Sequence, residues 1–307
     1  MMKNKNKAIV SIAFWLLVLV VSLYGVKVLS GSTFDWNFNF PLFSRNTEDM
    51  VLLQEKTFNQ TVDDIDIDWT AGSVTLKATN RSNIIVKEYA NRQLSKDRWA
   101  SMDVNNDKLI IESDNSVRFN FFFINDTTTS LVVEVPQKQY NHIKGHLTSG
   151  NFTMNDLESS ILQVSLTSGN VKLSNSEIDD FSLKMTSGNS TFDQVNATKL
   201  SVEMTSGNLR ATKLQSDDVA FTMTSGLADL DLLSPAPESL QAKINAGNVK
   251  LALPTDASFK TNPSITSGNF NKDFNYTQVN NDTIYNQGDH VYNIQLTSGN
   301  LTIKIPE

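Results

Sequence analysis

From Tyr140 to the C-terminus, apolar and polar residues alternate in short blocks that recur with the glycine of a Thr-Ser-Gly-Asn motif. Gly150, Gly169, Gly188, Gly207 and Gly226 follow one another at one constant interval, Gly247 and Gly268 continue at a slightly longer one, and Gly299 comes after a longer gap still. Two residues after each glycine stand Phe152, Val171, Ser190, Leu209, Ala228, Val249 and Phe270, and four after stand Met154, Leu173, Phe192, Ala211, Leu230 and Leu251. Triplets follow at twelve, fourteen and sixteen: Leu162, Val164, Leu166; Phe181, Leu183, Met185; Leu200, Val202, Met204; Val219, Phe221, Met223. Alternation with period 2 places each set on one face of a strand. A fixed repeat of about 20 residues predicts coils that bury their apolar face only by stacking. The expected fold is all-β, a single-stranded β-helix (β-solenoid) with coils of about 19–21 residues. Leu157, Val195 and Leu214, seven after glycine, suggest a third short side to each coil.

Each motif copy lies between a long and a short strand and so reads as a corner. Glycine supplies the positive φ of a sharp turn, and Asn tolerates a left-handed backbone or bonds locally. The structural corner set is Gly150, Asn151, Gly169, Asn170, Gly188, Asn189, Gly207, Asn208, Gly226, Gly247, Asn248, Gly268, Asn269, Gly299 and Asn300. Stacked in register, Asn151, Asn170, Asn189 and Asn208 predict a ladder of side-chain amides. Leu227, in place of Asn after Gly226, interrupts it. A polar groove for a glycan or an ion would use the same residues.

Before the array, strand alternation recurs at Ile65, Ile67, Trp69; Val74, Leu76; Ile84, Val86; Leu109, Ile111; and Leu131, Val133, Val135. Gly72 resembles a repeat turn, but the next repeat glycine is the distant Gly150. Residues 56–140 therefore read as irregular N-terminal β coils with insertions, residues 91–107 being a short helix or a loop, and residues 141–307 as the regular array. At the N-terminus, Lys3, Lys5 and Lys7 precede an uncharged, mostly apolar run from Ala8 to Val26. As a helix that run is about 28 Å long, close to the hydrocarbon thickness of a bilayer. Residues 1–7 read as a cytoplasmic basic tail and residues 8–29 as a transmembrane helix, with the repeat domain outside the cell. A cleaved signal peptide ending near Ser30 is the rival reading, although its apolar core is ordinarily shorter. Residues 30–55 form a juxtamembrane linker carrying Phe34, Trp36, Phe38, Phe40 and Phe43, a pattern that suits either headgroup-level aromatics or a short strand.

Composition narrows the chemistry. The chain of 307 residues has no cysteine, which excludes disulfides, thiolate metal sites and cysteine nucleophiles. Beyond the expected anchor remain all 33 acidic residues and 22 of the 26 basic ones, a formal charge of −11 that disfavours nucleic acid. His142 and His146 flank Gly145 in a strand-to-turn region, which argues against a helical metal pair. Asp64, Asp66 and Asp68 share one strand face, as a solvated row or as a divalent-cation site. Arg210, Asp229 and Lys250, and likewise Lys184 and Glu203, fall on neighbouring coils as surface charge ladders. The long interval before Gly299 holds an inserted hairpin near residues 273–290. Its Tyr276, Tyr285 and His290, with Tyr292 just beyond, suit either an end cap or a recognition tip.

The strand Leu131 to Val135 followed by Pro136, and the Ser-Gly or Ala-Gly corners from Ser149-Gly150 to Ser298-Gly299, resemble bacterial β-strand-repeat domains of unknown function described as adhesin-like. With an N-terminal anchor, the whole resembles membrane-anchored Lia-type cell-envelope-stress proteins of Gram-positive bacteria. The resemblance covers roughly residues 55–307, brings no catalytic residue with it and implies no cofactor. It implies a surface role near antibiotic or antimicrobial-peptide responses, and together with the anchor it leads to the expectation of a non-enzymatic, single-pass cell-membrane protein whose external solenoid binds envelope glycans or another membrane protein. A carbohydrate-active β-helix of the polysaccharide-lyase kind and a cation-dependent adhesin are the alternatives.

Overall fold

Alternation along the repeats becomes strand wherever the residues are described. A computed structural model describes residues 50–113 and 127–306; the expected tail, anchor and most of the linker lie outside them. Among the described residues no helix is long and apolar enough to cross a membrane. The strands in chain order are β1 (Val51–Phe58), β2 (Asp64–Thr79), β3 (Ile84–Ala90), β4 (Ser101–Asn105), β5 (Lys108–Glu112), β6 (Thr129–Pro136), β7 (Gln139–Asn155), β8 (Glu158–Leu232), β9 (Ser239–Ala252), β10 (Phe259–Thr261), β11 (Ser264–Ser267), β12 (Phe270–Asp273), β13 (Thr277–Val279), β14 (Asp282–Tyr285), β15 (His290–Ser298) and β16 (Leu301–Lys304).

β8 runs unbroken for 75 residues because its backbone pairing continues through the corners of successive coils. The columns at two, four, twelve, fourteen and sixteen after glycine point inward, and nearly all their members are buried in one continuous core. The third side is present as well. Leu157, Val195 and Leu214 are buried, joined two residues later by Ser159, Ile178, Ala197 and Ser216. A second corner introduces that side. Asp156, Asn175, Gln194 and Lys213, six after successive glycines, adopt left-handed φ of +59°, +49°, +54° and +54°. Asn175 Nδ2 donates to Asp156 Oδ1 at 3.0 Å along this corner.

At the N-terminal end the coil of Gly72 is regular. β2 pairs in parallel with β7 and sets Gly72 opposite Gly150 and Val74 opposite Phe152. Of the described residues between the two glycines, β5 and β6 lie on the other side of β2, where β5 pairs with Asp64–Asp68 and β6 with Ser73–Thr79, both parallel. Together β5 and β6 build one further coil outside β2. Beyond it the direction reverses: β4 pairs antiparallel with β5, β3 with β6, and β1 with β3. Residues 91–107 thus include a strand, β4, besides a 3-10 turn at Lys96–Arg98, and residues 51–55 of the expected linker belong to β1. β1 carries a register shift between Leu52 and Gln54, an edge irregularity that opposes pairing with another chain.

The C-terminal end departs from a simple continuation of the glycine series. β15 and β16 pair in parallel with β9 on one side and with β10, β11 and β12 on the other. The glycines therefore stack as Gly247, Gly299, Gly268, and the last strands of the chain lie inside the stack. The predicted hairpin is β13 and β14, and it closes one wall by pairing antiparallel with β10. β12 has no strand on its outer edge among the described residues. Each end shares one device: a strand near the end of the domain is clamped between two coils, and the outermost coil is held by chain at both of its ends.

Candidate functional site

The corner column is a backbone stack. Gly150, Gly169, Gly188, Gly207, Gly226, Gly247, Gly299 and Gly268 have φ between +130° and +157°, and a Cβ added to any of them would lie 1.6–1.9 Å from the carbonyl oxygen of the glycine on the adjacent coil. Side chains are therefore excluded by close approach as well as by φ. Beside this stack Asn170 Nδ2 donates to Asn151 Oδ1, Asn189 to Asn170 and Asn208 to Asn189, at 2.9, 3.1 and 2.9 Å. After Leu227 a second ladder runs from Asn248 through Asn300 to Asn269, at 3.2 and 3.3 Å. The amides of these rungs bond one another, which suits a structural ladder.

On the outer face of the long wall, one aspartate of β2, Asp66, meets bases from both neighbours. Lys108 Nζ donates to Asp66 Oδ2 at 2.7 Å and Lys144 Nζ lies 3.7 Å from Asp66 Oδ1. Two ammonium groups thus compensate the charge of Asp66, the middle residue of the row. His142 and His146 lie within the strand β7 and not at a turn, contacting Gln163 at 3.3 Å and Ser165 at 2.7 Å. Lys184 lies 3.4 Å from Glu203, and Arg210 4.0 Å from Asp229, as exposed rungs between coils.

The C-terminal end holds a cleft of about 1400 Å³ between β12, the β13–β14 hairpin and the end of β16, lined by Lys272, Asp273, Phe274, Asn275, Tyr276, Tyr285, Asn286, Lys304 and Pro306 among others. Its floor is aromatic. Phe274 meets Tyr285 edge-on at 5.6 Å and Tyr276 meets Phe274 edge-on at 5.9 Å, while behind them, in the core, Phe259 stacks on Tyr292 with ring centroids 4.6 Å apart. Lys272 Nζ sits 4.1 Å from the Tyr276 ring centre and 5.2 Å from that of Phe270. Lys304 pairs with Asp273 at 3.4 Å. A concave surface with an exposed aromatic ring, amides and charged groups is suited to binding.

The sequence matches the family described as Toastrack DUF4097 over residues 62–304. The chain belongs to the Toastrack family. Solved structures similar to this Toastrack chain include a putative adhesin from Parabacteroides distasonis, at 12% identity and a TM-score of 0.46, covering 84% of this chain and 98% of that one. A putative cell adhesion protein from Clostridium sporogenes shows 14% identity and a TM-score of 0.34, covering 82% and 99%. A putative lipid binding protein from Parabacteroides distasonis shows 9% identity and a TM-score of 0.40, covering 83% and 96%. No curated protein matches the chain.

Of the four residues expected at a recognition tip, the Toastrack cap exposes some and buries others. Tyr276 is 47% exposed and lines the cleft. Tyr285 is half-buried there, its hydroxyl 3.4 Å from the Thr255 carbonyl oxygen, to which it donates. His290 opens β15, its backbone N–H donating to Ser258 O. Tyr292 is a core residue, only 1% exposed, so it presents no surface to a ligand. Its ring packs on Phe259 and its hydroxyl donates to Pro237 O at 2.7 Å. Nothing in the repeat pattern marks Lys272, Phe274 or Lys304 as cleft residues. Phe274, two residues before Tyr276, was the available signal, whereas Lys304 reaches the cleft only because β16 pairs with β12.

Burial, with a lesser push from Asp256, raises the Tyr292 phenol well above its ordinary value of 10.0. Tyr140, whose hydroxyl donates to Pro136 O at 2.9 Å, is raised likewise by burial and by Asp63. Folding retains these protons while the unfolded chain releases them above about pH 10. The stability they contribute is thus complete below pH 10 and lost as the pH rises from there through the folded values. Melting temperature should be flat toward pH 9 and then fall. In the double variant Tyr140→Phe, Tyr292→Phe the fall should be shallower, with about 1 kcal/mol lost per hydroxyl at neutral pH. An unchanged alkaline slope would contradict this account.

Proposed function

We propose that this Toastrack protein is a non-catalytic, adhesin-like scaffold, anchored in the cell membrane through residues 8–29, whose external solenoid presents a binding cleft to envelope components. Within that reading it serves the cell envelope under stress, in the manner of the Lia-type proteins it resembles. The observation that carries the proposal is the open aromatic cleft at the C-terminal cap, where Tyr276 stands exposed beside Lys272. The stacked coils support it by giving that cleft a rigid base. The single carboxylate among its lining residues, Asp273, is paired with Lys304. A photoreactive benzophenone side chain placed at Asn275 in intact cells should capture an envelope component, while the same group at Lys184 on the long wall should not. Equal capture at both positions, or capture at Lys184 alone, would overturn the assignment.

A further inference from the structure

We infer that the cleft takes an acidic saccharide, a pyranose ring stacking on Tyr276 while its carboxylate or phosphate meets Lys272. This rests on reading the cleft as the binding site and names what it would hold. Among the described residues the charges of the cleft do not cancel. Lys304 and Asp273 neutralise one another at 3.4 Å, and no ion pair among the described residues includes Lys272, which leaves one uncompensated ammonium in a chain whose formal charge is −7.

Its position is held rather than free. Besides the rings of Phe270 and Tyr276, Nζ has two neutral acceptors, Thr283 Oγ1 at 3.3 Å and Gln278 Oε1 at 3.5 Å. Both contacts are long, so the ammonium retains capacity for a shorter, charge-assisted bond to an anion. Tyr276 supplies the complementary half. A half-exposed ring, in T-shaped contact with Phe274 and with the Lys272 ammonium over one face, offers its remaining apolar surface to the C–H face of a sugar, with Asn275 and Thr277 beside it for hydroxyl groups. A simple anion would use the lysine and leave the ring unused. A neutral sugar would use the ring and leave the charge unmet.

The test is titration of the full-length chain in mild detergent with tetragalacturonate, a phosphorylated oligosaccharide of equal length, and neutral cellotetraose. At least one acidic probe should bind about tenfold more tightly than cellotetraose, the scale of one charge-assisted contact, and which probe does so separates a carboxylate from a phosphate ligand. Lys272→Met should bring that ratio close to one, Lys272→Arg should preserve it, and Tyr276→Ala should weaken all three probes, each variant keeping the parental melting temperature. Equal affinity of wild type for neutral and acidic probes, or a ratio unchanged in Lys272→Met, would overturn the inference. If no saccharide binds but the benzophenone at Asn275 still captures a protein in cells, the ligand class falls and the cleft remains a site. If neither happens, both fall.

Discussion

Gly188→Val is expected to unfold the array, or to destabilise it by more than about 4 kcal/mol, while Asn189→Ala lowers stability by less than about 1 kcal/mol. The two neighbours share one corner and differ in what their side chains would meet. At Gly188 φ is +134°, and a Cβ would lie 1.7 Å from Gly169 O and 2.8 Å from Met185 Cε. The sulfur side chain could turn away, but the carbonyl belongs to the ladder of the adjacent coil and has nowhere to go. A valine adds the further strain of a β-branched side chain at positive φ. Asn189 loses one rung at 3.1 Å to Asn170 and one at 2.9 Å to Asn208, both at an exposed corner where water can replace them. Chemical denaturation of the two variants checks the ranking. A mild Gly188→Val with a severe Asn189→Ala would make the asparagine row, not the glycine stack, the indispensable element.

Ending the chain at Asp289 is expected to release far more than the residues removed. The truncation deletes β15 and β16, and with them the buried side chains Tyr292, Ile294, Leu296, Leu301, Ile303 and Ile305. At roughly 1.5–3 kcal/mol of transfer free energy for each large apolar side chain, the loss is large against the stability of an ordinary domain. In a solenoid whose last coil is the last in sequence, such a deletion shortens the stack by one unit. Here β10, β11 and β12 lose the one parallel partner each has among the described residues, so residues 253–289 should detach while the coils up to β9 remain. Amide hydrogen exchange should show protection lost over that whole stretch, and a synthetic peptide of residues 290–306 added to the truncated chain should restore it by entering the vacant slot. Retained protection at Phe259–Thr261 in the truncated chain would mean that β15 is not the clamp described.

Much of the molecule was legible in the residues because its repeating unit is local. The inward columns at Phe181, Leu183 and Met185 follow from strand alternation, and their recurrence at a constant interval follows from coil length. The second corner was not legible. Asp156, Asn175, Gln194 and Lys213 share a left-handed backbone but no common side chain, so no motif marks them. Tyr292 was misplaced for a related reason. It lies in a stretch rich in asparagine and aspartate, and composition read that stretch as surface, whereas strand parity in β15 turns Tyr292 inward with Ile294 and Leu296. Gly145 shows the reverse case. It occupies an inward position on the long wall, and a Cβ there would lie 2.7 Å from the Phe152 ring, so its small size makes room for a large neighbour.

By itself the sequence determined the coil, its apolar columns and the need for glycine at one corner, because strand geometry and a short, constant period act within a single repeat. Only the tertiary structure decided the order of the coils at the two ends. The long intervals between Gly72 and Gly150 and between Gly268 and Gly299 announce inserted chain, but a parallel strand can join either edge of its neighbour, and the choice rests on which edge buries the returning side chains. That choice places β2 between β5–β6 and β7, and β15–β16 between β9 and β10–β12. It also brings Lys304 to Asp273 and opens the cleft beside Tyr276.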